Sequence, residues 1–419
     1  MSKLITPVTH DDGVKPETAN KKSSLWLNPK ISGLYLTIAI SFVAAGMVAP
    51  LRTLYAQEEG ASGGEVGLMA AAYLFTTFIF LFPFGWLSDR VSRIGVIVAG
   101  LLAHGVITFA FIFAHDGLTF IILRLLEGIA TAAVMPASRA ILADLVPEGR
   151  NGEAFGIMNG VAVFGIFVGP PIGTFTASSF GFGAAYIISA VIFIPAIFLV
   201  LWAFRDYQTH PVKKAEPKME QSYLPTKEKL LTAPILVGCI IKLALAMGMG
   251  LGASIWSIYM ASLGFDLNMI GLTYTIYAIP MVLVAPSAGR LSDRYGRAGM
   301  MMVAGIGVGI IWASYGIITA FVLFIIVGII EGSLDAIARS ANDGYLADYS
   351  PPESRGKAQG LFNAAAQLGS LVAAILAGFS YEVSYNLPFF LIGGIQITLI
   401  GVAGCLYLAL GLKKVRRLS

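Results

Sequence analysis

Charge is scarce in this sequence. Asp, Glu, Lys and Arg make up 12% of its 419 residues, about half the share usual in a soluble domain. Apolar types make up 57% and the mean hydropathy is +0.78, a balance that excludes a water-soluble globular chain. Cysteine is nearly absent: Cys239 and Cys405 both fall in apolar runs, which offers no disulfide framework and no metal-ligand spacing. No Gly-x4-Gly-Lys-Ser/Thr loop occurs, so ATP hydrolysis in this chain is excluded as a source of energy, and no His-Glu-x-x-His pair occurs either. The glycine clusters at 248–252 and 305–309 lie inside apolar runs, where they serve helix packing and not a dinucleotide. No enzyme activity, cofactor or metal is therefore expected. The first thirty residues are polar and lack the basic, apolar and cleavage-site layout of a secretory signal, which predicts a retained cytoplasmic tail.

What is present is a succession of apolar runs, each about twenty residues long and so able to cross a bilayer core. Twelve spans are predicted, at about 33–55, 65–87, 94–114, 118–144, 153–176, 183–204, 232–260, 268–290, 298–319, 321–347, 357–379 and 387–411. They divide the chain into a tail (1–30), a six-helix bundle (31–204), a lysine- and proline-bearing linker (205–230), a second bundle (231–411) and a tail (412–419). With both termini cytoplasmic, 23 of the 28 basic residues lie in tails or inner loops, as the positive-inside rule requires. That distribution accounts for the net charge of +4 without nucleic acid as a partner. A multi-pass protein of the cell membrane is expected.

The halves resemble one another. The turn from Gly85 through Asp89 and Arg90 to Arg93 returns 204 positions on as Gly289, Asp293, Arg294 and Arg297. The same offset relates Glu127-Gly128 to Glu331-Gly332, Asp144 to Asp348, Asn159 to Asn363 and Gly165 to Gly369. Six-helix units repeated in one orientation imply a pseudo-twofold along the membrane normal, with a site between the halves near the midplane. Asp89 is expected to face the start of the eleventh span and Asp293 that of the fifth, where free N–H groups and the helix dipole favour a carboxylate. Such contacts would latch the cytoplasmic side in one state and release it in the other.

These residues resemble the major facilitator superfamily of transporters over nearly the whole chain. The family's turn between its second and third helices runs Gly-x-Leu-x-Asp-Arg-x-Gly-Arg-basic, and both copies match most of it; the first has Ser92 for the glycine and Ile94 for the final base. Arg124-Leu125-Leu126-Glu127-Gly128 resembles the motif whose arginine the family links to proton coupling. Gly156, Gly165, Gly169-Pro170 and Gly173 resemble the fifth-helix pattern of its proton-driven drug antiporters, with Thr174 where a last glycine is usual. The resemblance implies a twelve-helix, all-α membrane fold, a small-molecule substrate, protons as the coupling ion and a monomer in the bilayer. Glycines four apart let helices approach closely, and Pro170 removes a backbone donor.

Charges inside the spans mark the functional candidates, because each is costly in hydrocarbon and faces a cavity or a partner. Arg124 and Glu127 share a face of the fourth span, and Glu331, Asp335, Arg339 and Asp343 form a stripe at steps of four on the tenth. Glu331 and Asp335 are the leading proton carriers, with Glu127 next and Arg124 modulating; Asp335 and Arg339 could instead form a permanent pair. Substrate contacts are expected from Tyr35, Asn159, Lys242, Trp256, Tyr259, Tyr274, Asn363 and Gln367. His104 reads as a packing histidine and Arg52 as a cation near an outer helix end. Proton-coupled export of small hydrophobic or amphipathic compounds is the expected activity. A symporter or uniporter for a sugar or organic acid is the rival, and a lipid-moving transporter a further alternative.

Overall fold

The computed structural model describes residues 24–147, 149–206, 232–350 and 354–411. Both tails and the linker 205–230 lie wholly or largely outside these residues. Among the described residues twelve helices are long and apolar enough to cross a membrane: Pro29–Glu58, Gly63–Arg90, Arg93–Phe113, Gly117–Leu145, Asn151–Phe180, Phe182–Ala203, Ala233–Ser254, Leu267–Tyr295, Arg297–Tyr315, Phe321–Tyr349, Arg355–Val383 and Leu387–Ala409. They are numbered as spans 1 to 12. No strand occurs among the described residues, so the spans satisfy most of their backbone groups by helical hydrogen bonds, the condition the bilayer imposes. Phe82, Phe164, Leu283 and Val303 stand exposed, a surface suited to lipid rather than water.

Spans 1 and 7 are each built from two segments, a detail that hydropathy does not foretell. Span 1 breaks at Val48 beside Pro50, between Pro29–Met47 and Ala49–Glu58. Span 7 breaks at Ile255 and continues as Trp256–Ser262. Span 9 ends at Tyr315, a few residues earlier than its apolar run. Polar caps set other boundaries. Ser62 and Glu65 form a capping box at span 2. Asp116 caps span 4 by accepting from the Thr119 amide (2.9 Å) and hydroxyl (2.6 Å), bonds that hold its carboxyl below the usual aspartate value.

An even number of crossings returns the chain to the face where it began. At the opposite face the two halves are pressed together. The Gly64 amide donates to Glu382 Oε1 across the halves (2.8 Å), and Ser178 meets Asn268 (3.3 Å) in the corresponding place of the repeat. Gly67 lies against Ala374 and Gly378. Pro171 has no N–H, which leaves the carbonyl of Phe167 without its helical partner; the Thr275 hydroxyl of the other half donates to it (2.9 Å). Toward the face of the chain ends no such contacts form among the described residues. A Cβ at Gly156, Gly160, Gly356 or Gly360 would meet nothing within 4 Å. The molecule is closed at one face and parted at the other.

Within each half, glycines bring paired spans together at the same places. Gly165, Gly169 and Gly173 in span 5 lie on the span 1 backbone, so that a Cβ at Gly169 would come within 2.6 Å of the Val43 carbonyl and one at Gly173 would overlap that of Met47. Pro170, buried beside them, lies at the same contact. In the second half Gly369 faces the Leu243 carbonyl and Gly250 that of Ser370. Overpacking costs about 1–3 kcal/mol even where neighbours can shift, and backbone shifts least. Gly250→Leu is therefore expected to lower the thermal unfolding midpoint in detergent by several degrees, whereas Gly156→Leu should leave it within about one degree; equal midpoints would contradict this packing.

Candidate functional site

Between the halves lies a cavity of about 600 Å³, the size of a small-molecule site. Its walls carry one ionic cluster from each half.

On the first-half wall the centre is Glu127, 1% exposed. Arg52 donates to its Oε1 and Arg124 to its Oε2 (2.6 Å). The Arg124 guanidinium lies over the Tyr73 ring at 4.1 Å. His104 Nε2 is 3.1 Å from Glu127 Oε1, Nδ1 is 3.4 Å from the Thr131 hydroxyl, and the ring stacks on Phe193. Two expectations are corrected at this wall. Arg52 is not a cation at a helix end: the second segment of span 1 turns it inward, and it is 7% exposed. His104 packs as expected on an aromatic ring, but it also touches the central carboxylate and lines the cavity.

The second-half wall is arranged differently. Asp335 accepts from Arg339 Nε (2.6 Å) and from the Tyr277 hydroxyl (2.6 Å), so the pairing reading of Asp335 and Arg339 holds in this state. Arg339 also donates to the Leu245 carbonyl (3.1 Å). Glu331 is 5% exposed and accepts from the Tyr315 hydroxyl (2.8 Å). Among the described residues no cation pairs with it.

The repeat explains the contrast. Glu127 and Glu331 are equivalent positions, as are Tyr73 and Tyr277. Where the first half has Arg52, Arg124 and His104, the second has Trp256, Gly328 and Val308. One carboxylate is enclosed by cations; its twin faces aromatic rings and one hydroxyl. This difference could have been found in the sequence by laying the halves over one another at intramembrane positions.

Of the residues expected to touch substrate, Trp256, Tyr274 and Gln367 line the cavity. Trp256 donates to Thr273 (2.9 Å), and Tyr274 shares a hydrogen bond with Ser257 (2.9 Å). Tyr35 does not belong with them: it is fully buried, donating to the Ala154 carbonyl (3.0 Å) where spans 1 and 5 pack. Tyr259 is likewise buried and donates to the Tyr315 carbonyl (2.6 Å). Asn159 and Asn363 are exposed outside the cavity lining, contacting Arg139 (3.3 Å) and Gln359 (3.4 Å). Lys242 pairs with Asp343 (2.6 Å) and is also outside the lining.

The repeated turns sit at the parted face and bind their own halves. Asp89 pairs with Arg93 (3.0 Å), and Arg93 reaches Asp144 and the Ala140 carbonyl. Asp293 pairs with Arg297 (2.6 Å), and Arg297 reaches Asp348 (2.9 Å) and the Gly344 carbonyl. Arg90 lies over Trp86 and Arg294 over Tyr295. The expected contacts from Asp89 to span 11 and from Asp293 to span 5 are not made, because the halves are apart at this face. Among the described residues a Cβ at Gly85 would meet Pro136 (3.8 Å) and one at Gly289 would meet Ser340 (3.6 Å), each of its own half. Gly296 adopts φ +97°, whereas Ser92 in the same place is extended and caps span 3 through the Gly95 amide (3.2 Å), which accounts for the missing glycine.

A polytopic bundle with a largely apolar cavity between two repeated halves, an ionic cluster on each wall and one face closed, defines a membrane transporter. The chain belongs to the Major Facilitator Superfamily, whose family model matches residues 34–257 and 238–417. It is 26% identical over 365 residues to an uncharacterized MFS-type transporter of Methanocaldococcus jannaschii, covering 85% of this chain and 92% of that one. It is 29% identical over 241 residues to the quinolone resistance protein NorA of Staphylococcus aureus, covering 56% of this chain and 59% of that protein. The fold is also that of the nucleoside transporter NupG (TM-score 0.75, 14% identity, 92% of this chain and 100% of that one). The POT family transporter PepTSo shares it too (TM-score 0.73, 12% identity, 92% and 99%).

Removing one partner of a buried ion pair costs about 3–5 kcal/mol, since the survivor keeps its desolvation penalty. Glu127→Gln strands two guanidinium groups and Arg52→Met leaves Glu127 with Arg124. Thermal unfolding in detergent should show Glu127→Gln as the less stable of the two, with Glu331→Gln within a few tenths of a kcal/mol of wild type; the reverse order would mean that Glu331, not Glu127, carries the structural charge.

Proposed function

We propose that the chain is a proton-coupled exporter of small hydrophobic or amphipathic compounds, working by alternating access in the cell membrane with both termini cytoplasmic. On that orientation the parted face is the cytoplasmic one, and the cavity is open to receive substrate from inside the cell. The observation that carries the reading is Glu331: a carboxyl buried in the cavity wall with a tyrosine hydroxyl and, among the described residues, no cation. An ionised group there has little to offset its desolvation, so a proton or a substrate cation is the partner that balances it. Coupling requires the two to favour different states of the halves, because a ligand bound equally by both shifts nothing.

Protons would reach Glu331 when the opposite face opens and leave when substrate displaces them at the cytoplasmic face. Glu127 and Asp335, each already paired with arginine, hold the walls and set the field around the exchange. The motifs at 85–93 and 289–297 supply the cytoplasmic latch in the alternate state, with Asp89 and Asp293 moving onto the helix starts that now stand open. The similarity to a quinolone resistance protein supports export as the direction. It covers 59% of that protein, and the substrate is inferred from the cavity rather than from that relative.

Everted membrane vesicles test the direction and the ion together. Energised vesicles with an interior acid gradient should release protons when an amphipathic amine such as ethidium is added, and Glu331→Gln should reduce that release by at least about tenfold. Movement of protons into the vesicle with substrate, or full activity in Glu331→Gln, would favour a symporter or uniporter and overturn the proposal.

A further inference from the structure

One guanidinium charge on the first-half wall has no counterpart of opposite sign among the described residues. Arg52 and Arg124 share a single carboxylate, Glu127. A guanidinium offers five N–H donors. Arg124 places one on Glu127 (2.6 Å) and none of the others on a described protein acceptor, and it lines the cavity. Its plane is steadied by the Tyr73 ring beneath it. Arg52, 7% exposed, has a buried Nε with no acceptor, a second sign that donors outnumber acceptors at this wall. The opposite wall has the complementary surplus. Asp335 is matched by Arg339, and Glu331 is left as an acceptor beside the aromatic surfaces of Trp256, Trp312 and Tyr315.

We infer that the substrate is a zwitterionic aromatic amphiphile, held with its acid group on Arg124 and its amino group on Glu331. The inference rests on the reading of Glu331 as the proton-exchanging carboxylate, because the substrate's ammonium group then takes the place of the proton. A simple anion would bring no cation to replace the proton on Glu331, and a simple cation would leave Arg124 unmatched; a molecule with both charges satisfies both walls. A carboxylate suits a guanidinium fork, and an ammonium group suits a carboxylate framed by ring faces. The aromatic core spans the apolar middle of a cavity whose 600 Å³ holds a drug-sized molecule.

Three probes on one scaffold separate the possibilities: 6-(aminomethyl)-2-naphthoic acid, which is zwitterionic, 6-(aminomethyl)-2-naphthamide, which is a cation, and 6-methyl-2-naphthoic acid, which is an anion. Binding is read by calorimetry on the full chain in detergent at neutral pH, with no gradient. The zwitterion should bind about tenfold or more tightly than either companion, the difference one charge-assisted contact makes. Arg124→Gln should bring the zwitterion down to the level of the amide, and Glu331→Gln to that of the methyl acid. If the amide equals the zwitterion in wild type, or Arg124→Gln keeps the preference, the acid subsite is refuted; if the methyl acid equals it, the amino subsite is. The wild-type comparison needs no variant and stands even if Arg124→Gln fails to fold. Because affinity is read without a gradient, failure here leaves the vesicle measurement of proton exchange untouched, and failure there leaves these affinities untouched.

Discussion

A charge buried in a membrane protein has to be met by an opposite charge, by hydrogen bonds or by a proton, and the rest of this molecule is arranged around two carboxyl groups that meet that demand differently. Glu127 is enclosed by Arg52 and Arg124 with His104 against it. Glu331, at the equivalent place in the second half, has the Tyr315 hydroxyl. A permanently paired carboxylate contributes structure. One without a cation is a group whose balance depends on what enters the cavity.

The repeat supplies the frame in which that contrast becomes a machine. The same glycine contacts join span 5 to span 1 and span 11 to span 7, so each half is a packed unit. Between the halves the contacts are fewer and end-specific: a carboxylate on a helix start, a serine on an asparagine, a threonine on a carbonyl that Pro171 has freed. On the proposed cycle, closing the other face breaks these, and the turns at 85–93 and 289–297 offer replacements there. On the proposed mechanism symmetry makes the two closed states similar in kind, and the asymmetry of charge across the cavity lets a ligand choose between them.

Most of the fold was legible in the sequence because hydrophobic length and the 204-residue offset are strong signals. Spans, halves and the charged turns could all be placed. The ionic stripe on span 10 was legible too, since steps of four share a helix face. Direction toward the cavity was harder. Tyr35 and Tyr259 have the composition of cavity aromatics but are turned into helix contacts, where their hydroxyls meet carbonyls. Arg52 was misplaced because hydropathy marks where a span ends and not how a break at Val48 rotates the Ala49–Glu58 segment. The contacts expected from Asp89 to span 11 and from Asp293 to span 5 are not made, since the two carboxylates pair with Arg93 and Arg297 of their own turns where the halves stand apart.

Infrared difference spectroscopy on the purified protein reads the central claim most directly, by tracking carboxyl C=O bands as an amphipathic amine is added. If Glu331 exchanges its proton for substrate, a protonated-carboxyl band disappears on binding in wild type and in Glu127→Gln, and no such change occurs in Glu331→Gln. A band that is lost equally in Glu331→Gln would place the exchanging proton elsewhere and contradict the account.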